Sequence, residues 1–178
     1  MTELLGFPVF HRKENISPLI ISIGDNGIRK KIVGQLNAKY GVAIHPSAIL
    51  SPYASIAEGT VVMQGAIIQS CAQIGKHCII NTGASIDHEC QIADFVHISP
   101  HSTLCGNVHV GEGSWIGAGS TVIPGVKIGR WAVVGAGTVV AKDVPDGTLL
   151  VGERMYRIKS LNMDVLKNMN GGGGRLPL

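Results

Sequence analysis

Cys78-Ile79-Ile80-Asn81-Thr82-Gly83-Ala84-Ser85-Ile86-Asp87-His88-Glu89-Cys90-Gln91-Ile92 holds the pattern that decides the fold. Ile80, Ile86 and Ile92 stand six apart, and Cys78, Ala84 and Cys90 stand two before them. Followed outward in steps of six, the aliphatic series runs from Ile44 to Val140, and all seventeen positions are Leu, Ile or Val. Those types make up roughly a quarter of an ordinary chain, so chance does not produce the series. The series two residues earlier, from Ala48 to Thr138, holds nothing larger than Val.

Residues two apart on a strand point to one side, so both series face inward and the rest of each hexapeptide turns a corner. A helix needs a period of 3.6 and a simple strand a period of 2; a strict six fits a parallel β-helix. Three hexapeptides per triangular turn give 18 residues per coil, hence about five coils. Gly75, Gly111, Gly117, Gly129 and Gly135 follow the aliphatic position and are expected to supply the tight bend. Aromatics at 4% and 24 glycines suit a narrow prism filled by Ile, Val and Ala.

Outward from the repeat, residues 1–43 form a separate unit. Leu19-Ile20-Ile21-Ser22-Ile23 reads as a short buried strand, Gly24-Asp25-Asn26 as a turn with a capping side chain, and Gly27 to Leu36 as a helix. Such a β-turn-α unit serves nucleotide-binding domains, but no Gly-x-Gly-x-x-Gly is present, and a cap docked on the open end of the solenoid is the simpler expectation. After Val140, Val144-Pro145-Asp146-Gly147 ends the repeat and Leu149-Leu150-Val151-Gly152 reads as a last closing strand. Residues 44–159 thus make the prism domain. Residues 160–170 read as weakly helical, and Gly171 to Gly174 open a flexible tail, in a terminal segment of 160–178.

A net charge of +3 is no nucleic-acid signature. The start has no secretory leader and no apolar run approaches 18 residues, so a soluble cytoplasmic protein is expected. Cys71, Cys78, Cys90 and Cys105 match no zinc spacing; Cys78 and Cys90 fall in the inward small series and read as packing residues.

The register sorts the seven histidines. His97 and His109 point out from flat faces, His88 and His101 lie at or near corners, and none points inward, so none is expected to be a core histidine satisfied by packing. His88 has Asp87 and Glu89 as neighbours, and a carboxylate can orient an imidazole and raise its basicity. Positions 18 apart stack about 4.8 Å apart, so His88 stacks on Gly106 and Asn81 on Ser99. Asn81, His88 and His97 then fall within one or two coils, with space at Gly106.

Asn81-Thr82-x-Ala84-Ser85-x-x-His88-Glu89-Cys90, continued by Asp94-x-x-His97-Ile98-Ser99-Pro100, resembles the NeuD/PglD-type sugar acetyltransferases of surface-glycan synthesis. The upstream Ile20-x-Ser22-Ile23-Gly24-Asp25-Asn26-x-x-Arg29-Lys30-Lys31 segment shares the resemblance, which spans about residues 17 to 152. It implies a left-handed helix, a homotrimer with sites between prisms, acetyl-CoA as co-substrate, no metal, and a nucleotide-linked amino sugar as acceptor. It further implies His88 as general base, Glu89 as its orienting partner, and Asn81 and His97 against the acceptor or thioester carbonyl. Gly106, Gly117 and Gly135 would admit the pantetheine, while Lys127 and Arg154, with Arg130, Lys142 and Arg157 nearby, would meet CoA phosphates. Such enzymes begin with a complete nucleotide-sugar-binding domain, so residues 1–43 correspond to a partial one. They also often end with Gly-x-Pro-Ala, where this chain has Gly152-Glu153-Arg154-Met155.

Three alternatives remain at this stage. A sialic-acid-type sugar O-acetyltransferase needs the same base and cleft. A zinc-dependent lyase on the same helix needs three outward histidines, for which His97, His101 and His109 are candidates. A trimeric scaffold without catalysis needs neither.

Overall fold

The computed structural model describes the strands Glu3–Leu4 and Phe7–Pro8, which pair antiparallel, and residues 17 to 157. The expected helix over 160–170 and the Gly171–Gly174 tail lie outside the described residues. From Ala43 on, two-residue strands recur every six residues and stack in parallel on the strands 18 away. They make three sheets, the faces of a triangular prism of about six turns where about five were expected, because seventeen hexapeptides at three per turn come to nearly six. The His97 face carries Ile79–Ile80, His97–Ile98, Trp115–Ile116 and Val133–Val134; the Ser85 face carries Ile67–Ile68, Ser85–Ile86 and Thr103–Leu104; the Gln91 face carries Gln73–Ile74, Gln91–Ile92 and His109–Val110. Thr148–Val151 adds a last parallel strand beside Val133–Val134, and Arg154–Arg157 folds back antiparallel on it, closing the prism as expected.

The core is the two inward series. From Val62 to Val140 every aliphatic position is buried, while at the first coil Ile44 remains 44% exposed. The small series does more than leave room. At four of its polar positions the side chain donates to a corner carbonyl fifteen residues on: Thr60 to Gly75 (2.8 Å), Ser102 to Gly117 (2.8 Å), Ser114 to Gly129 (2.6 Å) and Ser120 to Gly135 (2.9 Å). Cys78 and Cys90 do the same through Sγ, to Ala93 and Cys105. Burial pushes the Cys78 thiol up to about 12, which keeps it an inert packing group. Buried carbonyls need such partners, and the small series supplies them.

The corner glycines act differently from expectation. The left-handed residue lies three after the aliphatic position, and seven non-glycine residues hold it, among them His77 (φ 55°), Glu89 (φ 60°) and Trp131 (φ 53°). Gly117, one after Ile116, is required by close approach instead: a Cβ there would stand 2.5 Å from the Ala136 nitrogen of the next coil.

The N-terminal unit also departs from expectation. Of residues 19–23 only Leu19 bridges a partner, Tyr40, and none of the five is buried. Asp25 does cap the helix Asn26–Gln35, accepting from the Ile28 N–H at 2.8 Å. The helix lies along the side of the prism and not on its open end. Its apolar Ile28 and Leu36 are exposed, whereas polar Asn26 and Arg29 are buried. Asn26 Nδ2 donates to the Gly113 and Ser114 carbonyls. Arg29 donates to the His77 carbonyl (2.8 Å) and the Phe95 carbonyl (3.0 Å), and Lys30 pairs with Glu112. Docking through hydrogen bonds to prism carbonyls explains why the polar side of the helix is the buried one.

Candidate active site

His88 follows directly from the corner geometry. Ile86 anchors the strand inward, and the left-handed Glu89 turns the chain into the Gln91 face. Glu89 Oε2 comes within 3.1 Å of His88 Nδ1, and the His88 backbone N–H is held by Asp87 Oδ1 at 2.8 Å. With Nδ1 donating to the carboxylate, the Nε2 lone pair is left to accept a proton. The side chain is 58% exposed. Gly106 sits one coil on, as the register implies; a Cβ there would stand 2.6 Å from His88 Cε1 and Nε2. The imidazole therefore occupies the space that glycine leaves.

Asn81 and His97 meet at the His97 face. Asn81 Oδ1 accepts from the Thr82 N–H at 2.8 Å, which turns its Nδ2 toward His97 Nε2 at 3.1 Å. Asn81 must then donate, so His97 Nε2 is the acceptor and its proton sits on Nδ1. That Nδ1 is buried and has no hydrogen-bond partner among the described residues. The ring stacks on Trp115, with centroids 5.5 Å apart and planes 3° apart, and Trp115 Nε1 donates to Ser99 Oγ at 2.6 Å. Burial, helped by the Arg29 charge, pushes His97 down to about 4, against a weaker pull from the Gly24 carbonyl. The ring is neutral at physiological pH. A cleft of about 410 Å³ opens beside it, lined by Asn81, His97, Trp115, Gly117, Gly135 and Leu149 among others.

The expectation that no histidine is buried by packing needs correction. His77 and His97 both point out of the prism, yet both are covered. His77 is wedged between Tyr40 and Phe95 and Arg29 bonds its carbonyl, while Trp115 flanks His97. Burial lowers the His77 pKa as well.

The remaining residues separate into distinct places. His88 lies at the far edge of the Ser85 face from Asn81 and does not line the Asn81–His97 cleft of its own chain. Gly117 and Gly135 do line that cleft, and Gly106 adjoins His88. Lys127 lies on the Gln91 face, in a broad groove of about 690 Å³ with Gln91, His109 and Arg130. Arg154 is on the terminal strand, near a hollow of about 350 Å³ lined by Lys142, Gly152 and Met155. His97, His101 and His109 are not gathered: among the described residues, no three His, Cys, Asp or Glu side chains come together as a metal would require. Sequence reasoning missed Ser99 and Trp115 as cleft residues, although Trp115 lies 18 after His97 and its place was readable from the register. It also gave no role to Asn26 and Arg29, although both stand in the Gly24-Asp25-Asn26-x-x-Arg29 segment that shares the family resemblance.

A family model described as bacterial transferase hexapeptide, six repeats, matches residues 107–142. No curated protein matches the chain. Among solved structures, the chain is 40% identical to PerB from Caulobacter crescentus, in complex with CoA and GDP-perosamine. That match covers 87% of this chain and 80% of that one, with a TM-score of 0.81. A variant of perosamine N-acetyltransferase from Caulobacter crescentus with a histidine replaced by asparagine, also in complex with CoA and GDP-perosamine, matches at 40% identity over 86% and 78%, with a TM-score of 0.81. The acetyltransferase domain of PglB from Neisseria gonorrhoeae, in complex with acetyl coenzyme A, matches at 35% identity over 88% and 81%, with a TM-score of 0.80. With this identity across most of both chains, and the hexapeptide prism common to them, the protein belongs to the left-handed β-helix family of acetyl-CoA-dependent sugar acetyltransferases.

Proposed function

We propose that the protein transfers acetyl from acetyl-CoA to the amine of a nucleotide-linked amino sugar, with His88 as general base. The observation that carries this is the His88 pair: Nδ1 on the Glu89 carboxylate and Nε2 free beside Gly106. As the sugar amine attacks the thioester carbonyl, His88 Nε2 takes its proton; the C–N bond forms, the C–S bond breaks, and the imidazolium returns the proton to the departing sulfur, so that CoA leaves as the thiol and the base is regenerated. Glu89 orients the ring and stabilises the imidazolium. Donors near the developing oxyanion supply the rest, and the Asn81 amide and the neutral His97 ring are placed to hold the acceptor or the carbonyl. The solved relatives named above favour an amine over a hydroxyl, since the perosamine enzymes are N-acetyltransferases.

On this reading the working unit is a homotrimer. The outward residues of the Ser85 face, Ile67, Ser85, Thr103, Thr121 and Val139, are uncharged, and its two edges are the Asn81 corner and the His88 corner. In a three-fold ring each prism offers one edge to its neighbour's opposite edge. His88 of one subunit would then face the Asn81–His97 cleft of the next, and the separation within one chain would close. Gly106, Gly117 and Gly135 would border the pantetheine, and Lys127 and Arg154 would bind CoA phosphates from whichever subunit presents them. No helix among the described residues is long and apolar enough to cross a membrane. We place the enzyme in the cytoplasm, where acetyl-CoA and nucleotide sugars are made, in surface-glycan biosynthesis.

The test is transfer of labelled acetyl from acetyl-CoA to a panel of nucleotide-linked amino sugars and to free sialic acid, with the product bond read by NMR. An amide on one nucleotide sugar is expected. An ester on sialic acid, or no product from a protein that binds CoA, would overturn the reading.

A further inference from the structure

Arg29 is a buried cation, 1% exposed, whose hydrogen-bond partners among the described residues are all neutral. Its Nε and Nη2 reach the prism carbonyls of His77 and Phe95. Its Nη1 reaches the Ile23 carbonyl at 2.7 Å and the Gly24 carbonyl at 3.3 Å, and Nη2 also reaches Asn26 Oδ1 at 2.7 Å. One guanidinium thus ties three segments together: the prism corner, the Ile23–Gly24 turn and the first turn of the helix. The planar fork suits this, because its donors have fixed directions. Burial pulls Arg29 down to about 10, so it stays charged at neutral pH.

The same segments bear on His97. The Ser114 carbonyl accepts both the His97 backbone N–H, at 3.0 Å, and Asn26 Nδ2, at 3.2 Å. Asn26 is in turn held by Arg29. The Asn81 bond to Nε2 leaves His97 one tautomer, with its proton on the buried Nδ1, and the Trp115 stack and the pull of the Gly24 carbonyl bear on its orientation. We propose that Arg29 is a positioning residue for the acceptor side of the reaction: by clamping the Ile23–Asn26 turn to the prism it fixes the His97 ring, and through that ring the acceptor end of the cleft. The kinetic part of this inference rests on the proposed function; the structural part does not.

Two consequences follow from the electrostatics. The Arg29 charge opposes protonation of His97, with burial as the larger cause and the Gly24 carbonyl pulling weakly the other way. Asp25 and Cys78 act on Arg29 and not on His97. Losing Arg29 therefore removes the repelling charge and, by loosening the covering turn, relieves the burial that is the larger cause; the smaller Gly24 pull is lost with it, and the net change raises the His97 pKa.

The experiment compares Arg29→Lys, Arg29→Met and Lys30→Ala in the full chain, with histidine ring nitrogens labelled for NMR. In the parent, His97 is expected as the Nδ1–H tautomer, titrating near 4. In Arg29→Met its titration moves up toward 6.5. In Arg29→Lys, which keeps charge without the fork, the shift is smaller but the single tautomer is lost. In steady-state assays both Arg29 variants raise the acceptor KM by about ten-fold or more and leave the acetyl-CoA KM within two-fold. Lys30→Ala cuts the Lys30–Glu112 tie of the same helix and moves neither. If Arg29→Met does not fold, Arg29→Lys carries the test alone. An unchanged His97 signal in the Arg29 variants, or equal effects on both KM values, would overturn the proposal. If no acceptor turns over in the parent, the function reading fails and the His97 titration still decides the role of Arg29.

Discussion

Gly106 lies one coil from His88, and a Cβ on it would stand 2.6 Å from the imidazole Nε2. The three atoms nearest to such a Cβ all belong to the His88 ring, so the glycine makes room for that side chain. The Gly106→Ala variant is expected to fold normally but to displace the ring from its Glu89-bonded position. Misplacing a catalytic group by about 1 Å can cost on the order of 100-fold in rate. We expect a kcat loss of about that size with an unchanged melting temperature. Activity within three-fold of the parent would show that the His88 ring does not need the space.

Stability should fall on mild acidification because His97 is buried neutral. Its pKa is about 4 folded and about 6.5 unfolded, so the unfolded chain binds the proton more readily between those values. The stabilisation is complete above pH 6.5 and is lost as pH falls from 6.5 to 4, by roughly 3 kcal/mol. His77 shifts in the same direction through burial. Denaturant midpoints measured from pH 7.5 to 4.5, parent against His97→Gln, check this. The parent should show the steeper decline, and parallel curves would contradict it.

The hydrogen-bonded small series makes a separate stability prediction. Ser114 Oγ is fully buried, donates to the Gly129 carbonyl at 2.6 Å and accepts the Ala132 N–H at 2.9 Å. Ser114→Ala orphans both buried groups. Each such loss costs about 1–3 kcal/mol, so roughly 2–4 kcal/mol is expected in equilibrium unfolding. Thr121, on the outer surface of the Ser85 face, should tolerate Ala within about 1 kcal/mol in the isolated subunit.

A shared site can be tested by mixing variants. His88→Ala and Asn81→Ala are each expected to be nearly inactive alone. If His88 of one subunit serves the Asn81–His97 cleft of the next, unfolding and refolding a mixture rebuilds some intact sites. An equimolar mixture should recover about a quarter of parental activity if subunits assort at random. No recovery from a mixture that assembles normally would place the two residues in the same site of one chain or in no common site.

The period of six was legible because it is a packing rule: an inward aliphatic and an inward small residue recur together, and nothing else places Ile80, Ile86 and Ile92 on three different faces of one core. Register also put His88 against Gly106 and Asn81 against Ser99, because stacking is a fixed shift of 18. What register does not carry is the distance between faces, so His88 and Asn81 read as neighbours although the Ser85 face separates them. The corner bend was misplaced by two residues because left-handed turns are held by Glu89, Phe95 and Trp131 as well as by glycine. The docking of the helix through Arg29 was illegible for a similar reason. Hydrophobic periodicity reports apolar faces, and this face is buried through hydrogen bonds to carbonyls.

The most direct test is the kcat/KM of His88→Ala for acetyl transfer to the best nucleotide-linked amino sugar, with CoA affinity measured alongside. His88 is exposed and makes one side-chain hydrogen bond among the described residues, so its removal should leave fold and CoA binding intact. The account predicts a fall of about 100- to 10,000-fold, the usual contribution of a positioned general base. A variant that binds CoA as the parent does and still transfers acetyl within ten-fold of its rate would contradict it.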